Sequence, residues 1–364
     1  MVLNNYSGVI PNKVINQVLY IVYGDNLNYQ IETKLSILSI LRHTKQPNFT
    51  IRIMTDRPAD YDGWPVEILP LNDQILNDWL GITDYHYRRK AVGILMALPY
   101  AERTVFLDTD TILKEDTNQL FTLFNKGEVL VDRIEGNWAR CIHDKLIGKV
   151  NEYLIKTYPQ LDTSLKLINS GVVGLFAEDS QLIEKAIELI DELWPKDPAC
   201  RVLEQFCLAI SFDKQRTLVE HNIIYHYWSK KEFFHQMGQY FFEKYGYAYQ
   251  ENYPEKSKEI VTSILRPSFL KRLISRVKVR SFPKKQRSGL LKLLYALALN
   301  ANGYEASQKA AYWLQAMNKD FPRYNPAAYE QFKQGQWPTD YLRIATVKQQ
   351  QDFLSFLKKQ KLLN

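Results

Sequence analysis

Two acids stand where a buried strand should stay apolar. In TVFLDTDTIL (104–113) a run of mostly apolar residues meets Asp108 and Asp110, and Ile112 and Leu113 then resume the apolar pattern. Side chains two residues apart at a strand end point to the same side. In α/β sheets small ligands bind beyond the carboxyl ends of the strands. Two close carboxylates repel, so one ionises reluctantly unless a cation compensates. A hard divalent ion supplies that compensation, and Mg²⁺ or Mn²⁺ keeps other coordination positions for phosphate oxygens and water. The pair therefore reads as a metal and diphosphate site. A turn with solvated Asp side chains is the commoner fate of D-x-D in general, so the surroundings must decide.

Three further groups have chemical potential. Arg88, Arg89 and Lys90 open the helical stretch YRRKAVGILMALPY (87–100). Cations are unfavourable at the positive end of a helix dipole, which implies an anion beside them. Glu204 and Gln205 are neighbours on the otherwise apolar VLEQFCLAI, where polar side chains need the partners a pocket would give. Asn169-Ser170-Gly171 is a small polar turn interrupting the apolar run 165–179. There Gly171 permits the backbone geometry and Asn169 can hydrogen-bond hydroxyls.

The elements that must hold these groups alternate. Strands are expected at 18–24, 49–56, 64–71, 104–107, 128–133, within 165–179 and at 221–228. Helices are expected at 31–44, 87–100, 117–124, 180–194 and 200–212. This order predicts an α/β domain with a mostly parallel central sheet. Character changes near Lys230: 263–300 carries ten Lys or Arg and no acid, and 305–364 reads as helices broken by Pro-rich turns. The division expected is 1–232 for the α/β domain and 233–364 for a mainly helical C-terminal extension.

In this order the groups resemble the nucleotide-sugar glycosyltransferases of the GT-A fold, a Rossmann-like architecture, and in particular the glycogenin-like and galactosyltransferase-like members of family 8. The resemblance covers roughly 15–232 and rests on Arg88–Arg89–Lys90, Asp108–Thr109–Asp110, Asn169–Ser170–Gly171, Glu204–Gln205 and His226. It implies a sugar transferred from a nucleotide-diphosphate donor, with UDP-sugar expected, to a hydroxyl of a glycan or lipid-linked acceptor, with retention. It places Mn²⁺ or Mg²⁺ on Asp108, Asp110 and a late-strand histidine, His226 or, as the weaker choice, His221. The diphosphate falls to Arg89 or Lys90, with Arg88 behind them. Tyr23 and Gly24 close the first strand at the base site, Ser170 and Gly171 lie against the donor, and Asn169, Glu204 and Gln205 act at the sugar. The family usually has Asp at the place of Glu204, and its H-x-x-G-x-x-K-P-W segment is absent.

Composition sets outer limits. The 364 residues allow a large core. A net charge of +7 and a pI near 9.0 favour anionic partners. Three cysteines, Cys141, Cys200 and Cys207, without metal-like spacing, suggest free thiols in a reducing compartment. No secretory leader or spanning segment is evident, so a cytoplasmic location is expected, with peripheral attachment to the inner face of a membrane as an addition. That addition comes from 263–292, where apolar residues at 269, 270, 273, 274 and 277 run beside Lys271, Arg272, Arg276 and Lys278. The apolar stripe favours an anionic membrane, and no nucleic-acid partner is expected. LLKLLYALAL (290–299) reads as a buried helix. Two competing functions remain: a haloacid-dehalogenase-like phosphatase with Asp108 as nucleophile, and a non-catalytic module binding anionic lipid.

Overall fold

The computed structural model describes residues 11–140, 148–159 and 161–363. Cys141 and the first ten residues, on which the reading of the leader rests, lie outside them. Seven strands make the main sheet: β1 (Val14–Val22), β2 (Thr50–Thr55), β3 (Glu67–Pro70), β4 (Ala101–Leu107), β6 (Glu128–Asn137), β7 (Lys166–Phe176) and β8 (Thr217–Glu220), in the order β3-β2-β1-β4-β7-β6-β8. β7 pairs antiparallel with β4 and β6, and the other pairings are parallel. The mostly parallel α/β sheet expected from the sequence is thus present. Helices cover the sheet, so β1 and β4 read as nearly continuous apolar runs. Val18, Leu19, Val105 and Leu107 are fully buried.

The helices of this unit are α1 (Leu27–His43), α2 (Asp73–Leu80), α3 (Arg88–Ala97), α4 (Gly148–Thr157), α5 (Ser180–Leu193) and α6 (Leu203–Phe212). A separate two-stranded ribbon joins β5 (Thr111–Leu113) to β9 (Ile224–His226) in antiparallel register, with Thr111 opposite His226.

Several local expectations are corrected. The residues Asn169-Ser170-Gly171 do not break their strand; β7 runs unbroken through them. The irregularity falls on β6, whose register shifts between Val131 and Arg133 and again between Ile134 and Gly136. The expected strand at 221–228 is only the three residues of β9, and β8 before it pairs with β6. Residues 117–122 form a 3₁₀ turn rather than an α-helix, with the Asp116 carboxylate accepting from the Asn118 N–H at 2.9 Å.

The chain divides into two compact units, Met1–Tyr227 with Ala248–Ser257, and Trp228–Tyr247 with Lys258–Asn364. The insertion in the first carries the short helix α8 (Tyr253–Lys256). The second is helical: α7 (Lys231–Tyr245), α9 (Phe269–Lys278), α10 (Arg287–Ala298), α11 (Gly303–Gln315) and further helices at Pro326–Lys333 and Val347–Lys359. Its core gathers Phe234, Leu290, Leu293, Trp313, Phe332 and Phe353. The 290–299 run, expected to be buried, buries Leu290, Leu293, Leu294, Ala296 and Leu299 and leaves the rest half-buried. Among the described residues no helix is long and apolar enough to cross a membrane.

Candidate functional site

β4 ends at Leu107, and Asp108, Thr109 and Asp110 bridge it to β5. Backbone bonds fix this bridge from two sides: the Asp108 N–H donates to the Gly171 carbonyl of β7 at 2.8 Å, and the Tyr227 N–H donates to the Asp110 carbonyl at 3.0 Å. The Thr109 hydroxyl donates to the Glu32 carboxylate of α1 at 2.6 Å. Asp110 is buried and Asp108 is half-buried. The β5–β9 ribbon then carries His226 to the same spot, its Nε2 3.3 Å from Asp110 Oδ1.

One ligand atom each from Asp108, Asp110 and His226 lies within 4.8 Å of the other two. The donor set, two carboxylates and an imidazole, suits a first-row divalent ion or Mg²⁺. His221 is not part of this cluster; its Nε2 lies 3.6 Å from Asp132. The other ring nitrogen of His226, Nδ1, lies 2.9 Å from Asp132 Oδ2. Burial works to lower the His226 pKa, but hydrogen bonds to Asp110 and Asp132 outweigh it and raise it to about 9. With a cation on Nε2, the Nδ1–H would donate to Asp132, the carboxylate–histidine arrangement that orients ligands in metal sites.

Gly171 has a different role from the one the sequence suggests. Its φ is not left-handed; instead a Cβ there would come 2.2 Å from His226 Cε1 and 2.4 Å from Nδ1. The glycine makes room for the imidazole. Gly24 is the position where the conformation itself matters: φ is +85°, and its N–H donates to both Asp56 carboxylate oxygens at 3.1 and 3.0 Å.

The three basic residues of α3 separate cleanly. Arg88 makes a two-point salt bridge to Asp191, at 2.6 and 2.8 Å, and donates to the Trp79 carbonyl, so it secures α3 to α5 and α2. Arg89 donates to the Leu76 carbonyl at 2.7 Å and lays its guanidinium over the Tyr23 ring at 5.0 Å. Tyr23 in turn donates to the His86 carbonyl at 3.2 Å, and burial raises its pKa. Only Lys90 reaches the aspartates. Its Nζ is 3.2 Å from Asp108 Oδ1, 3.7 Å from Glu204 Oε1, and donates to the Ser170 carbonyl and hydroxyl at 2.7 and 3.0 Å. Burial lowers the Lys90 pKa, yet Asp108 and Glu204 more than offset it and the net shift is upward. The anion implied by a basic helix start is therefore supplied, in part, by the protein's own acids.

Glu204 is buried on α6. Its Oε2 accepts from the Ser170 hydroxyl at 2.9 Å, while Oε1 has no hydrogen-bond partner. Burial raises its pKa against the pull of Lys90. Gln205 is half-buried beside it. Asn169 Nδ2 donates to Glu135 at 3.0 Å, and its Oδ1 accepts from the Gly171 N–H at 3.0 Å. Carboxyl groups from Asp108, Asp110, Asp132 and Glu204 thus outnumber the basic groups of Lys90 and His226. That excess of acid is what a divalent cation would balance.

Sequence reasoning passed over Asp132, Glu32, Glu135 and Tyr85. Tyr85 fixes the start of α6, its hydroxyl donating to the Arg201 carbonyl at 3.1 Å and accepting from the Glu204 N–H at 3.0 Å. For Asp132 a signal existed: an acid closing the apolar run EVLVD repeats on β6 what Asp108 does on β4.

No family model matches this chain, and no curated protein matches it. Solved structures do. The apo WbbM bifunctional glycosyltransferase is 16% identical with a TM-score of 0.37, over 58% of this chain and 39% of that one. Mouse xyloside xylosyltransferase 1, also apo, is 13% identical with a TM-score of 0.38, over 58% and 86%. The galactosyltransferase LgtC, with donor and acceptor sugar analogues, is 10% identical with a TM-score of 0.38, over 56% and 73%. The chain spans well under half the length of the first of these. At such scores the likeness carries no argument of its own, and the reading below rests on the site.

Proposed function

We propose that this chain is a metal-dependent glycosyltransferase of the GT-A type, moving a sugar from a nucleotide-diphosphate donor, UDP-sugar in our reading, to a hydroxyl of a glycan or lipid-linked acceptor with retention. The observation that supports it most is the convergence of Asp108, Asp110 and His226 beside the Lys90 ammonium, at the carboxyl end of β4. Asp108, Asp110 and His226 would hold Mn²⁺ or Mg²⁺. When bound, that ion supplies positive charge against the diphosphate that leaves as the glycosidic bond breaks.

The protein's own groups complete the arrangement. Lys90 adds a fixed cation within a mostly buried site, where electrostatic stabilisation counts most. Asn169, Glu204 and Gln205 offer acceptors and donors for sugar hydroxyls, with Ser170 and Gly171 holding the backbone close. Tyr23 and Gly24 line the base site in this reading, so Arg89, stacked on the Tyr23 ring, serves that site and leaves the diphosphate to Lys90.

A panel of nucleotide sugars screened for Mn²⁺-dependent hydrolysis and for thermal stabilisation tests the proposal. One donor should stand out, and Asp110→Ala should abolish its metal-dependent binding while leaving the fold intact. Equal binding by the variant, or phosphate release from p-nitrophenyl phosphate that Asp108→Asn removes, would overturn it.

A further inference from the structure

Helix α9 is built inside out. Its one buried residue is Ser275, whose hydroxyl donates back to the Lys271 carbonyl at 2.8 Å. Its large apolar residues face outward: Phe269 is 71% exposed, Leu270 64%, Leu273 44%, Ile274 48% and Val277 53%. At about 100° per residue these five span an arc of about 140°, and Ser275 falls almost opposite its middle. Arg272 and Arg276 run along one edge of the arc, Lys271 and Lys278 along the other. A helix packed on a protein core puts its apolar stripe inward. This one packs on α10 through the face that carries Ser275.

Charge narrows what the outward face can meet. Arg280, Lys284 and Lys285 follow α9 and are exposed. The whole segment 263–300 contains ten basic residues and no acid. Apposing two copies of α9 would set basic edge against basic edge with no acid from this segment between them. A nucleic acid would pair with the cations but leave five large apolar side chains in water, since phosphate binding makes no use of them. An anionic bilayer accepts both: apolar side chains enter the acyl boundary, while Lys and Arg extend their stems to headgroup phosphates. We propose that α9 is an interfacial membrane-docking helix that lies in the plane of an anionic lipid surface. Phe269, Leu270, Leu273, Ile274 and Val277 enter the bilayer, and Arg272 and Arg276, followed by Arg280, Lys284 and Lys285, bind its headgroups. Lys271 and Lys278 instead donate to the Ala298 and Ile344 carbonyls at 2.9 and 3.4 Å.

This inference stands apart from the sugar-transfer reading, so the two can fail separately. The test is flotation of the full chain with vesicles of phosphatidylcholine alone and with about 30% phosphatidylglycerol, at about 0.1 M salt. The wild-type chain should float with the anionic vesicles only. The double variant Leu270→Asp/Ile274→Asp, which alters exposed positions only, should lose this by about tenfold or more at unchanged circular dichroism. Its nucleotide-sugar hydrolysis in solution should match the wild type. The inference is overturned if the wild-type chain fails to float or floats equally with neutral vesicles, or if the variant floats as well as the wild type. It is also overturned if the wild-type chain sediments as a dimer that the variant dissociates, because a second copy would then cover the face. Tight binding of a mixed-sequence oligonucleotide that the variant retains, without flotation, would assign the cations to nucleic acid instead.

Discussion

The β4–β5 junction and helix α9 break the ordinary partition of residues in opposite senses. At the junction acids are buried: Asp110 and Asp132 sit under strands and meet His226 and one another's neighbours. On α9 hydrophobes are exposed, and the polar Ser275 takes the inside position. Both arrangements cost free energy in the isolated chain, since buried charge loses hydration and exposed apolar surface orders water. Within the chain, Lys90 and His226 compensate part of the buried acid; under the two proposals a cation completes the first region and an apolar medium covers the second. The departures are local, while the frame around each follows normal packing, with continuous apolar strands in the first unit and an aromatic core in the second.

Substitutions should separate the two regions, because each breaks one and spares the other. The largest effect is expected for Asp110→Ala, which should lower metal-dependent turnover by about a thousandfold or more and remove Mn²⁺ binding in calorimetry, with vesicle flotation unchanged. Lys90→Gln should follow with a loss of about a hundredfold to a thousandfold, seen mainly in kcat. Arg89→Gln, acting through Tyr23, should show mainly in KM, and the reverse split would reassign the diphosphate contact.

Gly171→Ala comes next. Its methyl group must displace the His226 ring, so metal affinity should fall, and the cost in stability should be about 1–3 kcal/mol by thermal unfolding. Asp132→Asn should weaken Mn²⁺ binding by about tenfold to a hundredfold through the orientation of the imidazole, without abolishing it. A metal affinity equal to wild type would remove Asp132 from the site.

The smallest effect is on stability against pH in metal-free protein. His226 has a folded pKa of about 9, above its unfolded value of about 6.5. The bonds of its charged form are therefore fully felt below about pH 6.5 and lost as pH rises through about 9. Thermal midpoints should drop slightly across that window. Asp132→Asn should flatten the drop.

Much of the frame was legible in the sequence. The runs 18–24, 49–56 and 104–107 announce central strands, and their alternation with helices announces a mostly parallel sheet, because burial on both faces leaves few polar positions. Partnerships across the sheet were not legible. Nothing near His226 in the chain points to Asp132 on β6, and nothing near Thr109 points to Glu32 on α1. Three adjacent basic residues looked equivalent until the turns of α3 sent Arg88 to Asp191, Arg89 to Tyr23 and Lys90 to Asp108. The glycine at 171 looked like a backbone requirement, whereas what it satisfies is the volume of a ring contributed by a strand much later in the chain. On α9 the periodicity was plain in the sequence, but a stripe has no sign: only the structure tells whether it faces in or out.

The β5–β9 ribbon, three residue pairs long, has a consequence for the order of events during synthesis. Both aspartates leave the ribosome long before Ile224, and the ribbon closes only once the last strand of the first unit has been made. Until then the carboxylates have no imidazole to complete their ring of ligands. Under the proposal, tight capture of the ion would thus certify that the strands of this unit are all in place, with only Ala248–Ser257 still to be added.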